Sequence, residues 1–292
     1  MWRKNKAILY ILPSIGAIGL LFFGGIFNGI LQSVGYNPAA GQYAWSLQAY
    51  DSLILSDEFW KSLLLSLRVA ILSSFFSALI GMFVAICLVL LSSSMSTQLW
   101  HRFFQLPLTI PHLVGAYLMA LLLMQSGWLS GLLFQIGLIE ERADFPILVN
   151  EPFGWGIILT YAWKEAPFIS LMVYPVLRRI NGSWKETASV FGANQIQRIR
   201  YIILPLVLPA WISATFIVFA FTFSSFEVPF LLGVTYPKML PVLSYQLYTS
   251  GGLENRPDAL AINLVLTFIT ALLGLLSYRL SKKWNMKKGG WD

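Results

Sequence analysis

The chain has almost no cysteine, few histidines and little charge, and each shortage removes a class of function. A single cysteine, Cys87, stands in an apolar run of the 292 residues, so no internal disulfide can staple the fold. Two histidines, His101 beside Arg102 and His112 after Pro111, give no cluster with metal-ligand spacing, and none is expected to hold a metal. There is no Gly-x-x-x-x-Gly-Lys-Ser/Thr phosphate loop and no dinucleotide fingerprint, so the chain is not expected to bind ATP by itself. Nor does it hold a catalytic triad or a carboxylate pair at useful spacing, which leaves no expectation of bond-making chemistry. Only 11% of residues are charged and 57% are hydrophobic, too apolar a composition for a water-soluble domain of this length. The net charge of +7 does not indicate nucleic acid, because the basic residues fall in short blocks between apolar stretches rather than on one polar face.

What is abundant is long apolar sequence. Met1 to Lys6 is basic and Ala7 to Val34 apolar, which resembles a secretory signal, but the run exceeds the roughly 20 residues that cross a bilayer and reads as a retained first helix. About six spanning segments can be marked: residues 7–34, 61–91, 103–125, 154–177, 201–226 and 259–280. Each must be helical, since lipid offers no partner for open backbone groups. The expectation is an all-α integral membrane protein forming a single transmembrane domain over residues 1–292. Pro107 and Pro111 in the third span, and Pro205 and Pro209 in the fifth, mark helix ends or kinks. A short interfacial helix is expected from Trp128 to Leu138.

Orientation follows from the basic residues. With the N-terminus inside, Arg3, Lys4, Lys6, Arg102, Arg178, Arg179, Lys185, Arg198, Arg200, Arg279, Lys282, Lys283, Lys287 and Lys288 all lie on the cytoplasmic side. The outer loops hold Arg142, Lys238 and Arg256 among many carboxylates, so both termini are expected in the cytoplasm. In the second span Ser73, Ser77, Gly81 and Ala85 recur every fourth residue and form a small-residue stripe for close helix packing.

The most informative segment is the predicted cytoplasmic loop, residues 178–200. Ser183 and Glu186 have capping-box spacing, predicting a short helix that begins there, with Trp184, Ala188 and Phe191 on one side at i, i+4 and i+7. Gly192 is placed to stop it, Gln195 to Arg200 restarts helically, and Ile202 to Pro205 re-enters the membrane. Such an elbow exposes aromatic groups where a solitary membrane protein has no use for them, and is suited to docking a partner.

The same stretch resembles the signature of binding-protein-dependent ABC importer permeases: Glu-Ala-Ala, three residues, Gly, nine residues, Ile-x-Leu-Pro. Glu186, Thr187 and Ala188 hold the first three places, Gly192 follows after three residues, and Ile202, Leu204 and Pro205 after nine more. Thr187 for alanine is the one departure. The resemblance extends over about residues 63–280, and the stretches Trp163 to Phe168 and Glu227 to Gly233 are similar to those of the polyamine, phosphonate and iron importer branch. It implies a type I importer bundle of six helices with a cytoplasmic coupling helix, in the plasma (inner) membrane of a prokaryote. The chain would form half of a solute pathway with a second permease chain, the same or different. Trp184, Glu186, Ala188, Phe191 and Gly192 would dock two cytoplasmic ABC ATPase subunits, which carry ATP and magnesium, and an extracytoplasmic binding protein would deliver solute.

Four ionisable groups lie in or near the spans: Arg68, Lys164, Glu165 and Glu227. A charge in lipid is costly unless it pairs, snorkels or faces water, so Glu227, Lys164 and Arg68 are candidates for the pathway. Arg68 can also snorkel outward. Lys164 and Glu165 point about 100° apart on a helix and are not each other's partner. Glu227, preceded by Thr222, Ser224 and Ser225, is the foremost candidate to face a cationic solute. The competing reading is a secondary transporter run by an ion gradient, which predicts inverted repeats; no internal repeat is evident.

Overall fold

The computed structural model describes residues 2–38, 41–90, 95–190, 192, 194–250 and 252–287, with side-chain detail for all of these except 2–9, 95–98, 101, 181–190, 195 and 280–287. Helix accounts for nearly all of it. Among the described residues the β-pairing is one isolated bridge, Asn37 with Gln42. The chain divides into two compact units, one of residues 1–60 with 243–268 and the other of residues 61–242 with 269–292.

The first unit holds α1 (Trp2–Ser33), α2 (Gln48–Leu55), the start of α3 (Asp57–Leu90), most of α11 (Leu240–Ser250) and the first part of α12 (Arg256–Lys287). Tyr10, Leu20, Leu21 and Phe23 on α1 are all largely exposed, which suits a helix whose solvent is hydrocarbon. At its end Ser33 Oγ and Tyr50 Oη are 2.8 Å apart. Ser52 Oγ donates to Asp258 Oδ1, and Ser244 Oγ to the carbonyl of Ala259.

The second unit carries the rest: most of α3, α4 (Met95–Thr109), α5 (His112–Leu123), α6 (Trp128–Gln135), α7 (Trp155–Val190), α8 (Gln195–Arg198), α9 (Leu204–Ser224) and α10 (Glu227–Leu232). α7 packs against α9, α4 and α5. Two apolar cores form, one around Val69, Ile158, Tyr161 and Leu232, the other around Ala85, Val173, Leu177 and Val207.

The small-residue stripe on α3 is the tightest of these seams. Ser73, Ser77, Gly81 and Ala85 are all buried. A Cβ added at Gly81 would lie 2.6 Å from the Ala166 carbonyl and 2.8 Å from Ile169 Cβ, so only glycine admits this approach of α3 to α7. Hydrogen bonds complete the seam: Ser77 Oγ donates to the Tyr161 carbonyl at 3.2 Å, and Trp211 Nε1 on α9 donates to the Ala78 carbonyl at 3.0 Å.

Three features depart from the sequence expectations. The helix predicted to start at Ser183 does not start there, because α7 runs unbroken through that point to Val190. Gly182 costs a helix only about 1 kcal/mol relative to alanine, and the good formers Lys185, Glu186 and Ala188 follow it, so the ladder continues. The segment predicted as a third span is two helices, since α4 ends at Thr109 and α5 begins at His112. Pro111 lacks a donor and disfavours helical backbone at Ile110. Finally, among the described residues five helical stretches rather than six are long and apolar enough to cross a membrane: Tyr10–Ser33, Asp57–Leu90, His112–Gln135, Ile196–Ser224 and Arg256–Arg279. The predicted fourth span lies within α7, where adjacent Lys164 and Glu165 lower the hydropathy. A helix at Trp128 is present as α6.

Gly81→Leu is expected to destabilise the protein by on the order of 1–3 kcal/mol through overpacking against Ala166 and Ile169. Gly24→Leu, at a position with no atom within 4 Å of an added Cβ, is expected to leave stability unchanged. Thermal unfolding of both variants in detergent checks the contrast.

Candidate functional site

The break between α4 and α5 creates the polar chemistry of the second unit. In an unbroken helix the N–H of residue 111 would bond the carbonyl of residue 107, and a proline there leaves that oxygen only the Ile110 N–H, at a long 3.4 Å, from the backbone. Lys164 supplies one from α7: its Nζ donates to the Pro107 carbonyl at 2.8 Å and to the Ile110 carbonyl at 2.6 Å. The residue is 2% exposed. An unpaired ammonium at the bilayer centre costs roughly 2.5–3.5 kcal/mol on insertion scales, and a carbonyl left open in hydrocarbon is also costly. Each group removes the other's penalty. Gly115, one turn into α5, lies against the lysine stem, and a Cβ there would be in van der Waals contact with Lys164 Cδ at 3.4 Å.

Glu165, 8% exposed, grips the same break from the next position. His112 Nε2 lies 3.0 Å from Glu165 Oε1, tying the first residue of α5 to α7. The His112 ring also packs at 4.8 Å from that of Phe221 on α9, and Phe221 meets fully buried Tyr161 edge-on at 6.3 Å. Glu227 is exposed at the start of α10. Lys164 and Glu165 hydrogen-bond to different groups.

Arg68 sits elsewhere. Its Nη2 donates to the Pro152 carbonyl at 2.8 Å and its guanidinium lies over the Phe153 ring at 4.4 Å, which pins the loop before α7. Sequence reading missed two partnerships: His112 with Glu165, 53 residues apart, and Lys164 with the carbonyls of the break. Pro111 signalled that a carbonyl was free, but nothing local named the donor.

The elbow lies at the far end of α7. Trp184, Glu186 and Ala188 belong to the helical backbone that ends at Val190; their side chains, and Phe191 altogether, lie outside the described residues. Gly192 is exposed with φ +66°, in the left-handed region that glycine enters without strain. A cross-bond seats the restart: Gln197 N–H donates to Asn194 Oδ1 at 2.8 Å and Asn194 N–H to Gln197 Oε1 at 2.9 Å. A π-helical turn over Ile199–Ile203 follows, with the Leu204 N–H reaching back to the Ile199 carbonyl. Pro205 occupies the first turn of α9, where its missing donor costs nothing. Ile202 packs against the second apolar core and Leu204 is exposed.

Residues 77–284 match the family described as "Binding-protein-dependent transport system inner membrane component". Among curated relatives, the chain is 29% identical over 181 residues to the inner membrane ABC transporter permease protein YnjC of Escherichia coli, covering 61% of this chain but only 33% of that protein. It is 28% identical over 236 residues to the molybdenum transport system permease protein ModB of Escherichia coli, covering 79% of this chain and 98% of that one. Its fold is similar to a chain in the crystal structure of a bacterial ABC transporter that imports the acidic polysaccharide alginate, with TM-score 0.79 and 22% identity over 97% of this chain and 98% of the other. With the helical fold, the glycine elbow and more than half of the chain matched, this protein belongs to the family of inner membrane components of binding-protein-dependent transport systems.

Proposed function

We propose that the chain is the permease subunit of an ATP-driven ABC importer, forming half of a solute pathway and docking a cytoplasmic ATPase through the elbow. The observation that carries this reading is the elbow itself. The 36-residue helix Trp155–Val190 carries the charged cluster and ends two residues before Gly192, and the positions of Glu186, Ala188, Gly192, Ile202, Leu204 and Pro205 keep the family spacing. Trp184, Glu186, Ala188, Phe191 and Gly192 form the docking surface in this reading. ATP hydrolysis belongs to two separate ATPase subunits, a second permease chain completes the pathway, and an extracytoplasmic binding protein delivers solute. Both termini lie in the cytoplasm, since that places most lysines and arginines on the inner side. Residues 1–292 act as one transmembrane domain.

The solute is small and polar or charged, such as a polyamine, a phosphonate or an iron complex. Glu227 faces it. Supporting this role is its exposure at the junction of α9 and α10. Lys164, whose ammonium is held on two backbone carbonyls, and Arg68, which donates through Nη2 to the Pro152 carbonyl, shape the pathway rather than line it.

Two outcomes are expected. When the chain is co-expressed with the ATPase encoded beside it, Glu186→Arg or Gly192→Arg abolishes copurification of the two subunits and ATP-dependent uptake; survival of both would remove the docking assignment. Replacing Gly192 forces a side chain into left-handed backbone at a cost of roughly 1–2 kcal/mol, on top of blocking the surface. Separately, heat-stabilisation of the associated binding protein identifies the solute. If that solute is cationic, Glu227→Gln lowers its uptake about tenfold, equivalent to about 1.4 kcal/mol, with ATPase copurification unchanged; uptake unaffected by Glu227→Gln would take Glu227 out of the pathway.

A further inference from the structure

The cluster at the α4–α5 break and the elbow are ends of the same element. α7 continues as one helix from Lys164 and Glu165 to Val190, with Pro167 and Pro175 inside it, a distance of about 40 Å at 1.5 Å per residue; each proline omits one ladder bond, and the helix carries on through both. At one end is the turn that receives the ATPase in the function proposed above. At the other, two consecutive side chains hold the two sides of a helix break. Lys164 binds the carbonyls of Pro107 and Ile110, on the α4 side, and Glu165 binds His112, the first residue of α5. The hydrogen-bond ladder that would have kept α4 and α5 in line is interrupted at Pro111. The α7 side chains therefore take over what the backbone has given up.

We propose that Lys164 is a positioning residue for transport: through the carbonyls of Pro107 and Ile110 it fastens the α4–α5 break to α7, so that displacement of the elbow carries α5 with it. Three observations converge on this. Lys164 is almost wholly buried, with its ammonium on two backbone oxygens, so it has little capacity left to bind solute. The lysine stem packs on α5 at Gly115, where an added Cβ would already be in van der Waals contact with Lys164 Cδ at 3.4 Å. Glu165 and His112 add a second attachment to the same break, which resists rotation about the first. Without these bonds α4 and α5 meet at a proline with no ladder across it, and a push along α7 would move α7 alone.

This inference rests on the proposed docking of an ATPase at the elbow, and the experiment separates the two. Cys87 is replaced by serine, and spin labels are placed on α7 at Leu171 and on α5 at Leu118, both exposed. Distances are measured by electron paramagnetic resonance in the permease–ATPase complex, without nucleotide and with ATP and vanadate. In the otherwise native chain a narrow distribution is expected whose mean is the same in both states, because α5 travels with α7. Lys164→Met, which keeps the stem and loses the donors, is expected to broaden the distribution about twofold and to make its mean change on adding ATP and vanadate. ATP hydrolysis stays within about twofold of normal, since a positional coupling of this kind need not enter the hydrolytic step. Lys164→Arg restores the narrow, nucleotide-insensitive distribution, which a merely stabilising role would not require. Should Lys164→Met fail to yield folded complex, Gly115→Leu, which displaces the stem, is expected to broaden the distribution in the same way. A narrow, unchanged distribution in both variants overturns the proposal, as does a pair in the native chain whose separation itself changes with nucleotide. If no ATPase copurifies with the native chain, the docking assignment falls instead, and the breadth of the distribution in the permease alone still decides whether Lys164 holds the break.

Discussion

A carbonyl oxygen that has lost its helical donor, in a segment solvated by lipid rather than water, sets the terms for the centre of this protein. Pro111 withdraws the N–H that Pro107 would have used, and hydrocarbon cannot replace it. The donor comes from Lys164 at 2.8 Å, a residue whose own charge would be untenable in the same surroundings. Once this bond is in place, other features follow. The lysine stem packs against α5 at Gly115, and Glu165 on the neighbouring bearing of α7 is brought to His112. The two charges need no partner from each other because each finds one across the interface.

Close approach of helices makes such bonds possible. α3 contributes a face of serine, glycine and alanine, and the absence of a side chain at Gly81 lets the Ala166 carbonyl come nearer than any Cβ would allow. Helix association in lipid gains little from hydrophobic burial, because the alternative solvent is equally apolar. Packing density and hydrogen bonds to backbone carbonyls, such as those of Ser77 and Trp211, carry it instead. The exposed apolar residues of α1 follow the same logic from the other side, since lipid solvates them without penalty.

The elbow shows how much can be read locally and where local reading misleads. The glycine at 192 and the prolines at 205 and 111 were legible because each acts on its own backbone: one enters positive φ, the others remove a donor. The capping-box pattern at Ser183 and Glu186 was equally visible, yet it did not start a helix. A cap pattern permits a terminus but does not impose one, and with no proline at Asn181 or Gly182 the α7 ladder continues through it. The fourth predicted span likewise lies within a helix, but one carrying two charges whose neutralisation depends on groups more than fifty residues away.

The sequence by itself determined the solvent, the helical class, the positions of backbone interruption and the spacing of the elbow, because these depend on composition and on interactions within a few residues. It also placed Lys164 and Glu165 on different bearings of one helix. Only the tertiary structure decided what they meet: the carbonyls of Pro107 and Ile110 for one, His112 for the other. It likewise decided that Arg68 holds the Pro152 carbonyl, apart from the cluster. The reason is physical. A buried charge must find compensation, and sequence reveals that need, whereas the identity of the compensating group depends on which helices approach closely enough to supply it.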